Sequence, residues 1–371
     1  MYNKATMTKT IAIDAREYST STGYYVKGLL EGLKKVDTKN HYVILMKSND
    51  IDTFETTANF EKVVADHKEF TFGEQLGYLK QLNKLHADLV HFPMVQQPIL
   101  YRGKVVTTFQ DLTTIRFRNP VKNPVVFWIK LQIYKFVNWY VARKSLHIIT
   151  PTDFVRHDVA NYTGVSLDKI TYTHEAIALP DVPSEPMPTL EGKRFIMYVG
   201  RPQPHKNLAR LIEAHAKLLK KHPDLLLVLA GKKDKMYDSY TILIDKLGTT
   251  KNVIFPGWVT DGEKRWLMTN TVVFVGPSLS EGFFISSIDA MWCGTPVASS
   301  NVSCLPEVNG DAAHYFNPHD AADITRAIDD VITNQTLREK LIAAGYENAK
   351  RFSWEKMARQ TLEVYEKALK S

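Results

Sequence analysis

The sequence predicts an α/β protein made of two doubly wound domains, each built on a parallel sheet. Short apolar runs rich in β-branched residues alternate with amphipathic helical stretches, and a proline-rich break divides this alternation into two halves. The chain has 371 residues, which is long for one domain and sufficient for two with separate cores. Two such domains would leave a cleft for a ligand between them.

The first domain is predicted over residues 7–178. The runs TIAIDA, HYVILM, DLVHF, KVVTTF and LHIIT indicate buried strands, and GYYVKGLLEGLKKV has the spacing of an amphipathic helix. We expect the first strand to begin near Thr10, so Met7 is an equally good start of the protein.

A stiff linker is predicted over residues 179–193, because the segment ALPDVPSEPMPTLEGK holds four prolines in sixteen residues. Alternation then resumes over residues 194–352, where RFIMYVG, DLLLVLAG, NVIFPG and TVVFV indicate the strands of a second domain. Residues 353–371 form an amphipathic pattern beyond the last expected element. We expect this final helix to pack back on the first domain and complete it.

Composition narrows the class of protein. The two cysteines, Cys293 and Cys304, cannot form a disulfide framework or a four-ligand zinc site, which fits a reducing compartment. We also expect no resident metal or cofactor. With no apolar signal core and no apolar stretch of membrane-spanning length, a cytoplasmic location is expected. The net charge of +7 is spread along the chain without a nucleic-acid motif. This excludes nucleic acid and favours phosphorylated ligands or an anionic membrane face.

The segment EGFFISSID, from Glu281 to Asp289, follows the apolar run TVVFV and precedes a helix. Ligands of open α/β sheets bind at the carboxyl ends of strands, and two carboxylates in such a loop can accept hydrogen bonds from a polyhydroxylated ligand. Alternatively, Ser286 and Asp289 have the spacing of a capping box that only satisfies the amides at the helix start. Both interpretations are open at this point.

A candidate phosphate site follows the first strand of the second domain, in GRPQPHKN. Arg201 and Lys206 flank a proline-stiffened turn, and Asn207 is expected to cap the next helix. Two cations beside a helix amino terminus suit an anionic diphosphate. No GxGxxG motif follows either first strand, and the second domain has no Asp-x-Asp sequence, so the two cations would replace a metal ion.

Residues 123–144 predict a long helix with two distinct faces. We expect a core face formed by a stripe of apolar residues: Ile129, Ile133, Phe136, Val137 and Tyr140. The opposite stripe contains Trp128, Leu131, Lys135 and Trp139. Tryptophans interleaved with cations are typical of a helix that lies in a membrane interface, whereas burial of both under a neighbouring loop is the alternative.

These residues and motifs resemble the retaining glycosyltransferases of the GT-B fold, specifically family 4, also described as glycosyl transferases group 1. The family's carboxylate motif, followed by A-M-x-C-G-T-P-V, is similar to residues 281–297, and SNVSCLPEVNGDAA resembles the segment after it. FSWEKMARQTLEVYEKAL resembles the family's closing helix. The resemblance implies two Rossmann-like domains facing a cleft.

The resemblance also implies roles. Arg201 and Lys206 would neutralise the nucleotide diphosphate, and Glu281 would contact hydroxyls of the donor sugar. The backbone amides of Gly282, Phe283 and Phe284 would approach the sugar or the phosphate, and Asp289 would hold the ribose of the nucleotide. The turn formed by Gly257, Trp258 and Val259 would contact the base through its backbone. On the acceptor side the resemblance implies Thr22, Gly23, Gln110 and Asp111.

Three positions depart from the family pattern. Asp289 is one methylene shorter than the usual glutamate, so its ribose contact would need a closer helix or a water molecule. Phe284 replaces a common glycine and would be strained at a positive φ, and Ser286 replaces a proline. Gln110 replaces a histidine, so the proton acceptor would be Asp111 or the leaving phosphate. Among the histidines, His205 is the better site candidate, whereas His91 and His174 are more typical of structural residues.

The expected function is therefore transfer of a hexose, with retention, from a nucleotide-sugar donor (GDP-mannose or a UDP-sugar) to a glycan or lipid-linked acceptor. An anionic membrane surface is an additional expected partner, through Trp128, Lys135 and Trp139. The alternatives are a nucleotide-sugar epimerase of the same fold and a non-catalytic relative that binds the nucleotide sugar.

Overall fold

The computed structural model describes residues 9–20, 23–117, 124–233 and 236–371. These residues form two compact units, which are described separately. The first unit draws on Met1–Ile115, Trp128–Glu175 and Ser353–Ser371, and the second on Arg116–Phe127 and Ala176–Phe352. In the described part of the chain, every helix is too short or too polar to span a bilayer.

Unit 1 contains a parallel sheet of seven described strands in the order β3-β2-β1-β4-β5-β6-β7. The strands are β1 Thr10–Asp14, β2 His41–Met46, β3 Phe60–Val64, β4 Leu89–Phe92, β5 Val105–Thr108, β6 His147–Thr150 and β7 Ile170–Tyr172. The helices are α1 Gly23–Val36, α2 Leu79–Leu85, α3 Thr113–Arg116, α4 Pro124–Lys144, α5 Asp153–Thr163 and, at the end of the chain, α13 Trp354–Lys370. Of these, Arg116 of α3 and the residues of α4 up to Phe127 are grouped with unit 2. The strands predicted for this half of the sequence are confirmed.

Both faces of this sheet are buried, which explains why its strands are continuously apolar. Ile11 and Ile13 of β1 belong to the core beneath α1 and α13, whereas Ala12 belongs to the core beneath α2. α13 lies directly against α1: a Cβ at Gly28 would stand 2.1 Å from a ring carbon of Trp354. The glycine therefore permits the close approach of the two helices.

The predicted core face of α4 is wrong. Ile129, Ile133 and Phe136 are 49%, 59% and 53% exposed, and the buried positions lie in the second half of the helix at Asn138, Val141 and Ala142. The sequence was misleading because α4 is apolar around nearly its whole circumference, so the longest apolar stripe did not identify the inward side.

The tryptophans of α4 are exposed as the membrane interpretation requires. Trp128 is 62% exposed and Trp139 is 42% exposed, so neither is buried under a neighbouring loop. Lys135 is half-buried, and its backbone carbonyl accepts a hydrogen bond from Tyr162.

Unit 2 contains a parallel sheet of six described strands in the order β10-β9-β8-β11-β12-β13. The strands are β8 Phe195–Val199, β9 Leu226–Ala230, β10 Val253–Gly257, β11 Val273–Gly276, β12 Val297–Ser300 and β13 Ala313–Phe316. The helices are α6 Leu208–Leu218, α7 Met236–Lys246, α8 Asp261–Asn270, α9 Ile285–Trp292, α10 Leu305–Asn309, α11 Ala321–Thr333 and α12 Gln335–Ala349. The strands predicted between residues 194 and 275 are confirmed.

The order of the second sheet places its topological switch point between β8 and β11, which pair in parallel. After β8 the chain adds β9 and β10 on one side of the sheet, and after β11 it adds β12 and β13 on the other side. Loops that leave their carboxyl ends therefore open a crevice, which is where open α/β sheets bind ligands. The two loops are residues 200–207 and 277–284, the segments that the sequence singled out.

Candidate functional site

The two loops at the switch point of unit 2 are tied together by hydrogen bonds. The backbone N–H of Leu279 donates to the carbonyl of His205 at 2.7 Å. The Asn207 side-chain amide donates to the carbonyls of Pro277 at 3.0 Å and Pro318 at 2.8 Å. The predicted helix cap by Asn207 is therefore wrong, because its side chain joins loops instead.

Lys206 and Glu281 meet where these loops converge. The Lys206 ammonium lies 2.7 Å from both carboxylate oxygens of Glu281, and the two side chains are 18% and 8% exposed. A lysine that engages a carboxylate symmetrically fixes its orientation while leaving lone pairs on each oxygen for further donors.

The backbone of Glu281 is held by the loop after β12. Its N–H donates to the Ser303 hydroxyl at 3.1 Å, and its carbonyl accepts from that hydroxyl at 3.0 Å and from the Cys304 thiol at 3.3 Å. Burial, together with the nearby Glu281 and Glu307 carboxylates, raises the pKa of Cys304 well above its usual value. Cys304 is therefore a structural thiol rather than a nucleophile.

The helices that follow the two loops begin without a side-chain cap. α6 starts after Asn207 and α9 after Phe284, and neither residue caps with its side chain. Side-chain oxygens cap α5, α8, α11, α12 and α13, whereas α2 and α10 also begin without a side-chain cap. Uncapped first-turn amides and the helix dipole attract anions.

Arg201 adds a positive charge beside these helix starts. Its side chain is exposed and has no acidic partner among the residues that the structure describes. Lys206, by comparison, is compensated by Glu281. The region around α6 and α9 can therefore accept negative charge from a ligand.

Phe284 has a backbone φ of 71°, so the strained conformation that we considered from the sequence does occur. Its ring is 7% exposed and lies 6.0 Å from that of Phe274, over Gly276. Burial of the ring offsets the backbone strain. Phe283 packs edge-on against Phe352, and Gly282 is buried, so this pair contributes backbone rather than side chains to the loop.

Asp289 is completely buried and does not form a capping box with Ser286, which lies inside α9. One carboxylate oxygen accepts from the N–H groups of Ala178 at 2.8 Å and Leu179 at 3.1 Å, and the other accepts from Lys264 at 2.6 Å. The capping interpretation is therefore wrong. Asp289 joins α9 to the first residues of the unit and to α8.

Three adjacent strands of unit 2 end in glycine at the edge that carries the loops. Gly200, Gly231 and Gly257 follow or end β8, β9 and β10, with φ values of 152°, 155° and 84°. A Cβ at Gly231 would lie 2.2 Å from the Gly200 carbonyl oxygen, so the backbones are too close for side chains. The site therefore has a wall of bare peptide groups.

The turn after β10 continues this wall. Gly257 accepts a hydrogen bond from the Gly231 N–H, Trp258 is 77% exposed, and Val259 is half-buried. The sequence interpretation included Gly257 but missed Gly200, Gly231 and Lys264. The repeated strand-final glycine in YVG, LAG and FPG was the available signal for the glycines; Lys264 had none, because its partner is distant in sequence.

The candidate acceptor-side residues belong to unit 1. Gly23 begins α1, where a Cβ would stand 2.1 Å from the Tyr18 carbonyl oxygen. Gln110 donates to the Pro93 carbonyl at 3.3 Å, and Asp111 accepts from the Thr113 N–H at 2.8 Å. These three residues follow strand ends at one edge of the sheet, and Thr22 lies outside the described residues.

His91 has the structural role that the sequence indicated. It is fully buried between the Tyr365 hydroxyl at 2.6 Å and the Thr108 hydroxyl at 2.8 Å, and burial lowers its pKa to about 3. His91 is therefore structural. His174 packs against Tyr172 in unit 1, and His205 contributes its carbonyl to the loop pair of unit 2.

The sequence contains one Asp-x-Asp, at Asp50 to Asp52 in unit 1. It forms a 3-10 turn between β2 and β3, and Asp50 accepts a hydrogen bond from Ser19. The turn is far in sequence from the loops of unit 2.

The sequence is similar to a family of known proteins and to individual members of it. Residues 185–348 match the family model described as Glycosyl transferases group 1. The chain is 30% identical over 274 residues to O-antigen chain mannosyltransferase B of Escherichia coli, an alignment that covers 71% of this chain and 70% of that protein. It is 28% identical over 269 residues to phosphatidyl-myo-inositol mannosyltransferase of Mycobacterium leprae (strain TN), covering 71% and 67%.

Among solved structures, sucrose-phosphate synthase from Thermosynechococcus elongatus superimposes with a TM-score of 0.77 at 17% identity, covering 97% of this chain and 99% of that one. At this identity the likeness shows the fold alone. The predicted fold class, GT-B with two parallel-sheet α/β domains, is confirmed.

Proposed function

Because the chain belongs to the glycosyl transferases group 1 family, we propose that this glycosyltransferase moves a hexose from a nucleotide-sugar donor to a glycan or lipid-linked acceptor. The names of the similar proteins favour mannose as the hexose, with GDP-mannose or a UDP-sugar as the donor. The main support for a donor site is that α6 and α9 begin without a side-chain cap beside Arg201 and Lys206.

Within this proposal, the diphosphate lies against the amino termini of α6 and α9. Arg201 and Lys206 neutralise its charge, and the amides of Gly282 to Phe284 approach the sugar or the phosphate. Glu281 contacts hydroxyls of the donor sugar, because Lys206 holds its carboxylate in one orientation. The turn Gly257 to Val259 receives the base through backbone groups.

We further propose that transfer proceeds with retention at the anomeric carbon and without a metal ion. The bond between the anomeric carbon and the phosphate oxygen breaks, the acceptor oxygen bonds to that carbon from the same face, and the acceptor proton passes to the departing phosphate. The main catalytic contribution of the chain is then stabilisation of the negative charge that develops on the diphosphate. Full activity in EDTA is expected; its loss would contradict metal independence.

The role of Asp289 in this scheme is indirect. Its two oxygens already engage Lys264 and two backbone amides in a fully buried position. A ribose contact would therefore require a bridging water or a displacement of Lys264. On the acceptor side, we propose Gly23, Gln110 and Asp111, together with Thr22, as contacts of the hydroxyl-bearing acceptor.

A thermal-shift panel of UDP, GDP and ADP sugars tests the donor proposal. A ligand at 100 times its Kd stabilises the native state by about 2.7 kcal/mol, so one base should raise Tm clearly above the others. Failure of every nucleotide sugar to raise Tm would exclude a donor site. Binding without transfer to any acceptor would favour the non-catalytic alternative, and conversion of the donor alone would favour an epimerase.

We also propose that unit 1 docks on an anionic membrane surface through the exposed face of α4, with Trp128 and Trp139 in the interface and Lys135 beside them. This would bring a lipid-linked acceptor to the enzyme. The double variant Trp128→Ala/Trp139→Ala should lose binding to anionic vesicles. Unchanged binding of this variant would refute the docking surface.

A further inference from the structure

Unit 1 contains a cavity at the edge of its sheet opposite to Gly23, Gln110 and Asp111. Lys104 immediately precedes β5 and Leu146 immediately precedes β6, so the cavity lies at the amino-terminal ends of these strands. Its volume is about 440 Å³, which lies within the range of small-molecule sites. The mechanism proposed above does not use it.

Three cations line this cavity: Arg102, Lys104 and Lys144. The Lys104 ammonium donates to the Leu369 carbonyl at 2.8 Å and that of Lys144 to the Pro98 carbonyl at 3.3 Å, so both bind neutral oxygens. Among the described residues that line the cavity there is no aspartate or glutamate, but Ser371, the last residue of the sequence, also lines it and brings a terminal carboxylate. Three cations thus face one carboxylate, so the lining keeps a net positive charge.

Lys144 is also partly desolvated in this cavity. Burial alone lowers the pKa of Lys144 to about 8, and no carboxylate raises it. Lys104 is one of the charges that lower the pKa of Asp88, and the Asp88 carboxylate already pairs with Lys9 at 3.1 Å. An anion placed among the three cations would restore the full charge of Lys144.

An exposed aromatic row leads from α4 into the same cavity. Tyr140 lines the cavity, its ring is 6.0 Å from that of Phe136, and Phe136 is 6.2 Å from Trp139. Arg143 lies over Trp139 at 4.0 Å. At the rim, Leu100 is 62% exposed. Apolar contact area and cationic charge thus adjoin, which matches the boundary between acyl chains and phosphates in a bilayer.

We propose that this cavity binds the phosphate headgroup of an anionic lipid while the aromatic row of α4 enters the bilayer interface. The inference rests on the membrane part of the proposed function and adds a defined headgroup site to it. The occupant is an anionic lipid surface rather than a soluble phosphate, because the apolar row requires a partner that a free anion lacks.

The test is co-sedimentation with phosphatidylcholine vesicles that contain or lack phosphatidylglycerol. The double variant Arg102→Gln/Lys144→Gln should lower the partition coefficient on the anionic vesicles roughly 10- to 30-fold, since each basic residue near such a surface contributes about fivefold. The matched control, Lys35→Gln/Lys39→Gln, removes the same charge from exposed positions of unit 1 and should change partitioning by less than roughly threefold.

Equal losses in the two double variants would show general attraction and overturn the headgroup site, as would no loss in the first. Arg102→Gln alone provides a variant with no described hydrogen bond to lose, should the double variant fail to fold. If inorganic phosphate alone raises Tm and Arg102→Gln/Lys144→Gln abolishes that rise, the cavity is a soluble-anion site and the lipid proposal is wrong. The thermal shift with nucleotide sugar is measured on the same variants. If nucleotide sugar still raises their Tm, the donor proposal stands whatever the outcome for the headgroup site.

Discussion

At the scale of single residues, Lys206 and Glu281 form an ion pair that fixes the orientation of both side chains. Each is mostly enclosed, so each depends on the other for compensation of its charge. Lys206 is held by Glu281 before any ligand arrives, and it lies beside the uncapped start of α6. A group that is already oriented loses little freedom when negative charge develops next to it.

Lys206→Ala should therefore lower kcat by about 10²-fold or more, by analogy with the removal of a transition-state donor. Steady-state kinetics with the donor identified by thermal shift provides the measurement. Lys220→Ala, an exposed lysine after α6, is the matched control and should keep its rate. A defect confined to KM would contradict a role in leaving-group stabilisation.

Asp289 makes a different prediction, because its partners are structural. Asp289→Asn leaves the nearly buried Lys264 without its counter-charge and should cost about 3 kcal/mol of unfolding free energy. Asp181→Asn is the control: it breaks the pair with Arg265, also at 2.6 Å, but Asp181 is 94% exposed, so the cost should stay below about 1 kcal/mol. Chemical denaturation measures both. Equal costs would disprove the structural role of Asp289.

Residue types at strand ends predicted the two loops of unit 2, because short apolar runs and a turn residue are local signals. The partners of those residues were not predictable. Asp289 meets Ala178 over a sequence separation of 111 residues and Lys264 over 25, and no local pattern encodes either contact. The side chain of Asn207 suits a cap by its type, yet two distant carbonyls compete for it.

At the scale of elements, the close contact of α1 with α13 depends on two glycines of α1. Gly28 faces the Trp354 ring, and at Gly32 a Cβ would lie 2.6 Å from both the Ala358 Cβ and the Trp354 carbonyl oxygen. Alanine is the better helix former by about 1 kcal/mol, so glycine here reflects packing rather than propensity.

Gly28→Ala should accordingly lower the free energy of unfolding by about 1–3 kcal/mol, because the methyl group would separate the helices or displace the ring. Urea denaturation provides the value. Lys35→Ala, at an exposed position of α1, should change stability by less than about 0.5 kcal/mol. A more stable Gly28→Ala protein would show that α13 is not held against α1 at this point.

Helix α4 illustrates where element-level prediction fails. Its existence follows from an uninterrupted run of helix-compatible residues, but its orientation requires a polar side, and α4 has little. The helix buries Asn138 with Val141 and Ala142 and exposes Ile129, Ile133 and Phe136. Hydrophobic periodicity identifies the inward face only when the outward face is polar.

At the scale of the whole molecule, buried neutral histidines make stability depend on pH. Burial lowers the pKa of His91 to about 3 and of His215 to about 4, one in each unit. The unfolded chain binds these protons near pH 6.5, whereas the folded chain does not until much lower pH. Stability is therefore present above about pH 6.5 and is lost as the pH falls.

Each such histidine should reduce the unfolding free energy by about 1.4 kcal/mol per pH unit below pH 6. The variant His91→Gln should show a slope shallower by that amount between pH 6 and pH 4, measured by denaturation at a series of pH values. Parallel slopes for the variant and the wild type would mean that His91 takes up a proton in the folded state.

The fold of the whole molecule was the most predictable property, because alternation of strands and helices restricts the chain to parallel sheets. Right-handed crossovers restrict the possible strand orders further, and the order observed brings the carboxyl ends of β8 and β11 together. Residue packing within that frame depends on contacts between distant segments, which a single sequence does not express.

The wall formed by Gly200, Gly231 and Gly257 has an evolutionary consequence. A mutation can change a side chain but cannot change a peptide group. A side chain is disfavoured at these three positions by positive φ, and also by the Tyr198 side chain at Gly200 and by the Gly200 backbone at Gly231. Descendants of this chain can therefore inherit that surface unaltered while adapting to another ligand. Divergence in ligand preference should be concentrated instead in bordering side chains that are free to vary, of which Trp258, three-quarters exposed, is the most prominent in the described part of this turn.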